Sequence, residues 1–235
     1  MKDMVLFHGH GEGDCGAFGN NRNELEMVKE LQRLCLRLLE DRGVDVLHNH
    51  DTGYNNYYKN LTKGVSLKYK MGAVLHINAG GGRGSEIIVP INETYLDIEK
   101  EILDGLASVG YEIRGLKSRD YYSESFVSPG SKGLDWYKEI REAYSNGCSL
   151  SIIEVCFIDN KEDVDRFYKN LNKIAIAIVN PYLKEMGLET YSEVNEETKK
   201  VHYRVQVGYY QYKENAEDLK KKLELDGYPA FIVEV

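Results

Sequence analysis

The chain has 235 residues, with 30 Lys and Arg against 38 Asp and Glu for a net charge of -8. That length allows one large α/β domain, or one of roughly 190 residues with a small appendage, and the acidic balance without a basic, aromatic-laced stripe speaks against a nucleic-acid partner. Behind Met1, Lys2 and Asp3 the apolar run Val5 to Phe7 is too short for a signal peptide or a membrane span, so synthesis in the cytoplasm and no membrane partner are expected.

Met4 to Phe7 reads as a strand that ends in a Gly-rich polar segment, and Glu24 to Arg42 carries Leu25, Val28, Leu31, Leu34 or Cys35, and Leu38 at helical spacing. Val44 to Leu47 predicts a second strand, Ala73 to Ile77 a third after a Tyr/Asn-rich stretch, and Glu86 to Val89 a fourth. Leu96 to Val109 is an amphipathic helix closed by Gly110, while Arg114 to Gly133 reads as loop. Trp136 to Tyr144 predicts a short helix, Leu150 to Phe157 a buried strand, and Val164 to Met186 one long helix. Cys15, Cys35, Cys148 and Cys156 lie far apart without CxxC spacing and read as reduced thiols, Cys35 as part of the first helix's apolar stripe.

Alternating strands and helices predict an α/β fold, a mostly parallel twisted sheet flanked by helices, over residues 1–186. Residues 187–200, GLETYSEVNEETKK, are polar, charged and aperiodic, as a linker is. Residues 201–235 then read as a small βαβ unit, with VHYRVQVGYY and YPAFIVEV as strands around the helix NAEDLKKKLELDG. So small a unit must pack on something to be stable.

In parallel sheets ligands gather beyond the carboxyl ends of the strands. His10 follows the first strand, His76 ends the third and Glu154 lies near the end of the last. Two imidazoles and a carboxylate make a hydrolytic zinc set with a place left for water, and a further glutamate can serve as that water's base. His8 rivals His10 in HGH, and Gly9, Gly11, Gly13 and Gly16 would let the backbone approach a metal or substrate; a phosphate loop is weak because no GK[ST] follows.

Glu24 competes with Glu26, and Asn23 as N-cap gives Glu26 a capping-box role. Glu24 at the first helical position is as well explained as a solvated carboxylate as by ligation. His76 is balanced between a hydrogen-bonded core histidine and a ligand. Glu154, among Ile152, Ile153, Val155, Cys156 and Phe157, is a carboxylate rarely tolerated without a charge partner or a metal. His48, His50 and Asp51 in LHNHD form a rival set, and Tyr54, Tyr57, Tyr58, Tyr121 and Tyr122 in loop-like segments suit sugar rings.

At these residues the chain resembles the zinc-dependent N-acetylmuramoyl-L-alanine amidases of phage endolysins and sporulation autolysins, over about residues 1 to 185. A glycine-flanked His followed by G-x-x-D-x-G-A matches His10 to Ala17, which favours His10 over His8. The Asn-Glu opening of the first helix matches Glu24, L-H-x-N-A matches Leu75 to Ala79, and Glu with a following F-x-x-N matches Glu154, Phe157 and Asn160. The resemblance implies one Zn²⁺ on His10, Glu24 and His76, and Glu154 as proton carrier; Asn78, within the matched L-H-x-N-A, is expected to contact substrate, as are His50 and Asp51 of the LHNHD cluster by their own side-chain chemistry. Phe7 stands where an acidic residue often precedes the glycine-histidine pair, and NLTKGVSLKYK lacks the usual upstream arginine; neither is a ligand in that family.

The implied reaction is hydrolysis of the amide between N-acetylmuramic acid and L-alanine in peptidoglycan, with a zinc peptidase of the stem peptide or a non-catalytic wall-binding protein as alternatives. Without an export signal such an enzyme would reach the wall through a phage-made hole or after lysis. The segment YRVQVGYYQYKENAEDLKKKLELDGYPAFIVEV looks like the first half of a sporulation-related repeat (SPOR) domain, a family that binds glycan strands, with Tyr209, Tyr210 and Tyr212 as glycan contacts. One βαβ in place of two predicts either a cut chain or a homodimer whose C-terminal units complete one another.

Overall fold

A computed structural model describes residues 3–11, 13–49, 69–192, 207–225, 228 and 230–232. The chain divides into two compact units, Met1–Val194 and Asn195–Val235. The first contains strands β1 (Asp3–His8), β4 (Asp45–His48), β5 (Met71–Asn78), β6 (Ser85–Ile88), β7 (Ile113–Arg119), β8 (Phe126–Val127) and β9 (Ser149–Phe157), with a two-residue ribbon of β2 (Phe18–Gly19) and β3 (Arg22–Asn23). Its helices are α1 (Glu24–Asp41), α2 (Asp97–Val109), α3 (Lys138–Ser145), α4 (Lys161–Lys169) and α5 (Leu171–Glu185).

The sheet order is β4-β1-β5-β9-β6-β7-β8. Strands β4, β1, β5 and β9 run parallel, β6 runs antiparallel to β9, β7 lies parallel to β6, and β8 closes antiparallel to β7. The central strands are apolar on both faces because helices cover both. Met4, Leu6, Leu75, Ile87 and Ile153 pack with α1, α2 and α5 through Leu31, Leu106 and Ile178. Val5, Phe7, Val74, Ile88 and Ile152 pack on the other face against Ile140 and Ala143 of α3. Alternation then carries His76, Glu154 and Glu86 to this second face, since each lies an even step from Val74, Ile152 or Ile88.

Asn23 caps α1 as expected, its Oδ1 accepting from the Glu26 N–H at 2.9 Å. Two expectations are corrected. The segment read as loop from Arg114 supplies most of β7, and it lacks period-two patterning because a bulge resets it: Ser85 pairs with Ile113 but Glu86 with Gly115, which leaves Arg114 as the extra residue. The single long helix from Val164 is two helices, broken at Asn170, whose φ of -122° and ψ of 23° depart from helical values between α4 and α5.

The expected linker also begins later than residue 187. Leu188 and Tyr191 pack on the core of the first unit, and the Tyr191 hydroxyl donates to the Leu38 carbonyl at 2.8 Å under the Arg42 guanidinium. In the second unit α6 (Lys213–Leu225) buries none of its residues. The strands expected on either side lie partly outside the described residues, and 207–210, 228 and 230–232 carry no strand. An alternating segment needs a surface to cover, and α6 offers no buried face in this unit. Among the described residues no helix is long and apolar enough to cross a membrane.

Candidate metal centre

Three segments converge at the carboxyl edge of β1 and β5. His10 follows β1 and holds a left-handed backbone, φ 63°, a conformation that costs a non-glycine residue about 1–3 kcal/mol and turns its ring toward α1. Glu24 opens α1 and His76 sits near the end of β5. His10 Nε2 lies 3.0 Å from Glu24 Oε2 and His76 Nδ1 lies 3.0 Å from Glu24 Oε1. The two imidazoles meet edge to face with centroids 5.1 Å apart.

Glu24 is no solvated carboxylate. It is only 4% exposed, and the backbone N–H groups of Ala17 and Ile77 donate to its two oxygens at 3.1 and 3.0 Å. Asp14 Oδ2 lies 2.9 Å from His10 Nδ1, which fixes the ring and leaves Nε2 facing Glu24. Glycine is required at two places around this cradle. A Cβ on Gly9 would run into the His76 ring, and one on Gly16, at φ 69°, would stand 2.7 Å from both Glu24 Oε2 and the His10 ring.

Among the described residues this is the one cluster that could hold a metal: one ligand atom each from His10, Glu24 and His76, all within 4.8 Å of one another. Two imidazoles and a carboxylate suit zinc by ligand type and leave a position open. Burial pulls the His10 imidazole down, but the Glu24 and Asp14 carboxylates outweigh it and lift it to about 9. Burial also opposes the charge on His76, which Glu24 and then Glu154 raise. Glu24, despite burial, is held below the usual carboxylate range by His10 and His76.

Glu154 does not join the cluster. It stands beside it on β9, in direct register with His76, and its Oε2 is buried without a hydrogen-bond partner among the described residues. Burial pushes its carboxyl up to about 7, with His76 pulling the other way. A cavity of about 250 Å³ joins these groups, walled by Ile77, Asn78, Tyr137 and Ile152.

Asn78 is fixed there by donating from Nδ2 to Glu86 Oε1 at 3.1 Å. His8, the rival of His10, is buried at the end of β1 and tied to Asn49 through its backbone N–H and carbonyl, both at 3.0 Å. His48 ends β4, two strands from β5 across β1, while His50, Asp51, Tyr54, Tyr57 and Tyr58 lie outside the described residues. Tyr121 and Tyr122 are exposed and stack edge to face on each other, not along the cavity. Sequence reasoning assigned no role to Asp14, Tyr137 or Glu86. Asp14 had a signal in its i, i+4 spacing from His10; Tyr137 and Glu86 had none short of the fold.

The sequence model of the N-acetylmuramoyl-L-alanine amidases matches residues 4–181. The chain belongs to this family. The site described above falls wholly within the matched residues, and the family's reaction is hydrolysis of the amide between N-acetylmuramic acid and L-alanine in peptidoglycan. A SPOR domain model matches residues 153–234, so it begins inside β9, a central strand of the amidase sheet, and extends well beyond the 201–235 segment that the sequence suggested.

Among curated proteins, the chain is 24% identical over 242 residues to the sporulation-specific N-acetylmuramoyl-L-alanine amidase of Bacillus subtilis (strain 168), covering 99% of this chain and 85% of that protein. It is 26% identical over 247 residues to the N-acetylmuramoyl-L-alanine amidase CwlM of Bacillus licheniformis, with the same coverage of 99% and 85%. Among solved structures, the catalytic domain of the amidase CwlV from Bacillus (Paenibacillus) polymyxa shares the amidase fold with a TM-score of 0.63 at 17% identity, over 80% of this chain and all of that one.

Proposed function

We propose that this amidase uses a zinc ion on His10, Glu24 and His76 to cleave the bond between the lactyl carbonyl of N-acetylmuramic acid and the amine of L-alanine. The observation that carries the reading is Glu154 Oε2, buried and without a hydrogen-bond partner among the described residues, in the same cavity as the three ligands. Zinc would supply Lewis acidity that polarises the amide carbonyl and acidifies water.

The chain's own residues do the rest. Glu154 accepts a proton from the attacking water as its oxygen bonds to the carbonyl carbon, and returns that proton to the amine nitrogen as the C–N bond breaks. The products are a muramoyl carboxylate on the glycan and a stem peptide with a free N-terminal L-alanine. Asp14 orients His10, and Asn78, locked against Glu86, borders the carbonyl end of the substrate. His50 and Asp51, which lie outside the described residues, are assigned further substrate contacts from the LHNHD cluster of the sequence alone. Residues 1–186 carry catalysis, and the unit at 201–235 holds glycan through Tyr209, Tyr210 and Tyr212, all exposed. Pairing of two such units would complete a SPOR-like sheet and make the enzyme a homodimer.

End-group analysis of purified walls digested by the zinc-loaded protein tests the reading. New N-terminal L-alanine is expected. New termini of any other residue would mean a stem-peptide peptidase, and no new termini would mean a binding protein.

A further inference from the structure

A row of charge runs sideways from the cavity across three strands. Glu154 on β9 is the direct partner of His76 on one side and of Glu86 on the other. Glu86 is buried, and its Oε2 takes two cations at once, Arg114 Nε at 2.6 Å and Lys117 Nζ at 2.6 Å. One carboxylate therefore stands against two positive charges, an excess of one in a chain of net charge -8. Both cations remain open to solvent, 36% for Arg114 and 28% for Lys117. Among the described residues only Nε of the Arg114 guanidinium is hydrogen-bonded, so the rest of its fork is available.

The backbone builds this pair on purpose. Lys117 lies opposite Ile88 and so shares the face of Glu86, whereas simple alternation would send Arg114 to the other face. The bulge at Arg114 cancels that step, and bulges beside active sites commonly re-aim a side chain in this way. Arg119, two residues on and on the same face as Lys117, stacks on Trp136 at 4.5 Å. Arg114 and Lys117 are joined to the cavity through Glu86, whose Oε1 accepts from Asn78 of the cavity wall at 3.1 Å.

Distance identifies what they would meet. Neighbouring strands are about 4.8 Å apart, so β7 lies roughly 10 Å from the Glu154 strand and its cationic heads, drawn back to Glu86, lie nearer. Two extended residues span about 7 Å. A stem peptide entering with its first amide at Glu154 places its second residue there. That residue, a γ-linked D-glutamate, carries a free α-carboxyl group that some walls leave ionised and others amidate.

We infer that Arg114 and Lys117 form a subsite for this α-carboxylate, making the enzyme selective for non-amidated stem peptides. The inference rests on the amidase reading. The test uses two C-terminally amidated muramoyl tripeptides, L-Ala-γ-D-Glu-L-Lys, with the glutamyl α-carboxyl either free or amidated, and the full zinc-loaded chain. Wild type is expected to favour the free acid by roughly tenfold in kcat/KM, mostly through KM, as one charge-assisted contact supplies. Arg114→Met and Lys117→Met should bring the ratio toward one. Glu86→Gln should widen it, because both cations are then released to the substrate, an effect of opposite sign to any loss of structure.

Added salt should raise KM for the free acid more than for the amide in the wild-type protein itself, a readout independent of whether a variant folds. Equal turnover of both tripeptides by wild type, or a ratio unchanged in the Arg114 and Lys117 variants, would overturn the subsite and leave the amidase reading standing. Turnover of neither tripeptide together with no L-alanine ends from walls would overturn both.

Discussion

His76 and Glu154 are direct partners across β5 and β9, in parallel register. A ligand of the proposed zinc and the proposed base therefore leave the sheet on the same face, one strand spacing apart, on two neighbouring inner strands. This fixes the relation between the hydrolytic water and its proton acceptor without any loop. Glu154→Gln keeps the shape and removes the acceptor. Its kcat on purified walls is expected to fall about 10²- to 10⁴-fold with zinc content unchanged. Full activity in that variant would remove Glu154 from the reaction.

Zinc and protons compete for the same nitrogens. In the metal-free chain Glu24 keeps His10 protonated up to about 9 and raises His76 as well, yet zinc requires both imidazoles neutral. Zinc affinity should therefore climb as pH rises from 6 toward 9. Calorimetry at pH 7 in two buffers of different ionisation enthalpy should show net proton release on zinc binding, with His10 as a source. Binding without proton release would contradict the charge state described for this centre.

The same shifts set the stability of the metal-free protein. A histidine raised above its ordinary value of about 6.5 contributes stability that is complete below that pH and is lost as pH rises through the folded value. For His10 that window closes at about 9. After zinc is stripped by chelation, the melting temperature should fall between pH 6.5 and 9, and adding zinc should abolish the fall. A flat profile in the stripped protein would argue against the His10–Glu24 pair.

The backbone at Gly9 is part of the site. A methyl group there occupies the space of the His76 ring, which can escape only by leaving Glu24. Gly9→Ala is expected to weaken zinc at least tenfold, the scale seen when groups that orient a ligand are lost, with the far-ultraviolet circular dichroism of the sheet retained. Unchanged zinc affinity would show that the ring has more room than the structure gives it.

The parallel half of the sheet was legible in the sequence because strands covered on both faces read as plain apolar runs, as Met4 to Phe7 and Leu150 to Phe157 do. The antiparallel half was not. In β7 only Ser118 is fully buried and the bulge at Arg114 erases the alternation, so Ile113 to Arg119 looks like loop. At the site, strand-end placement drew attention to His10, His76 and Glu154, but His8 stayed a rival of His10 and His76 stayed balanced against a core histidine until the family motifs were considered. Glu24 was balanced against a solvated helix start, and only contact with residues 14 and 52 positions away in sequence decides it. The partnership of Glu86 with Glu154 depends on β6 reversing direction, which no local pattern announces.

The most direct measurement is zinc content beside release of N-terminal L-alanine from purified walls, wild type against His76→Ala. Wild type should hold one zinc per chain and release L-alanine ends, while His76→Ala, folded by circular dichroism, should lose most of both. A folded His76→Ala protein that keeps its zinc, or that keeps releasing L-alanine ends at the wild-type rate, would contradict the metal centre described here.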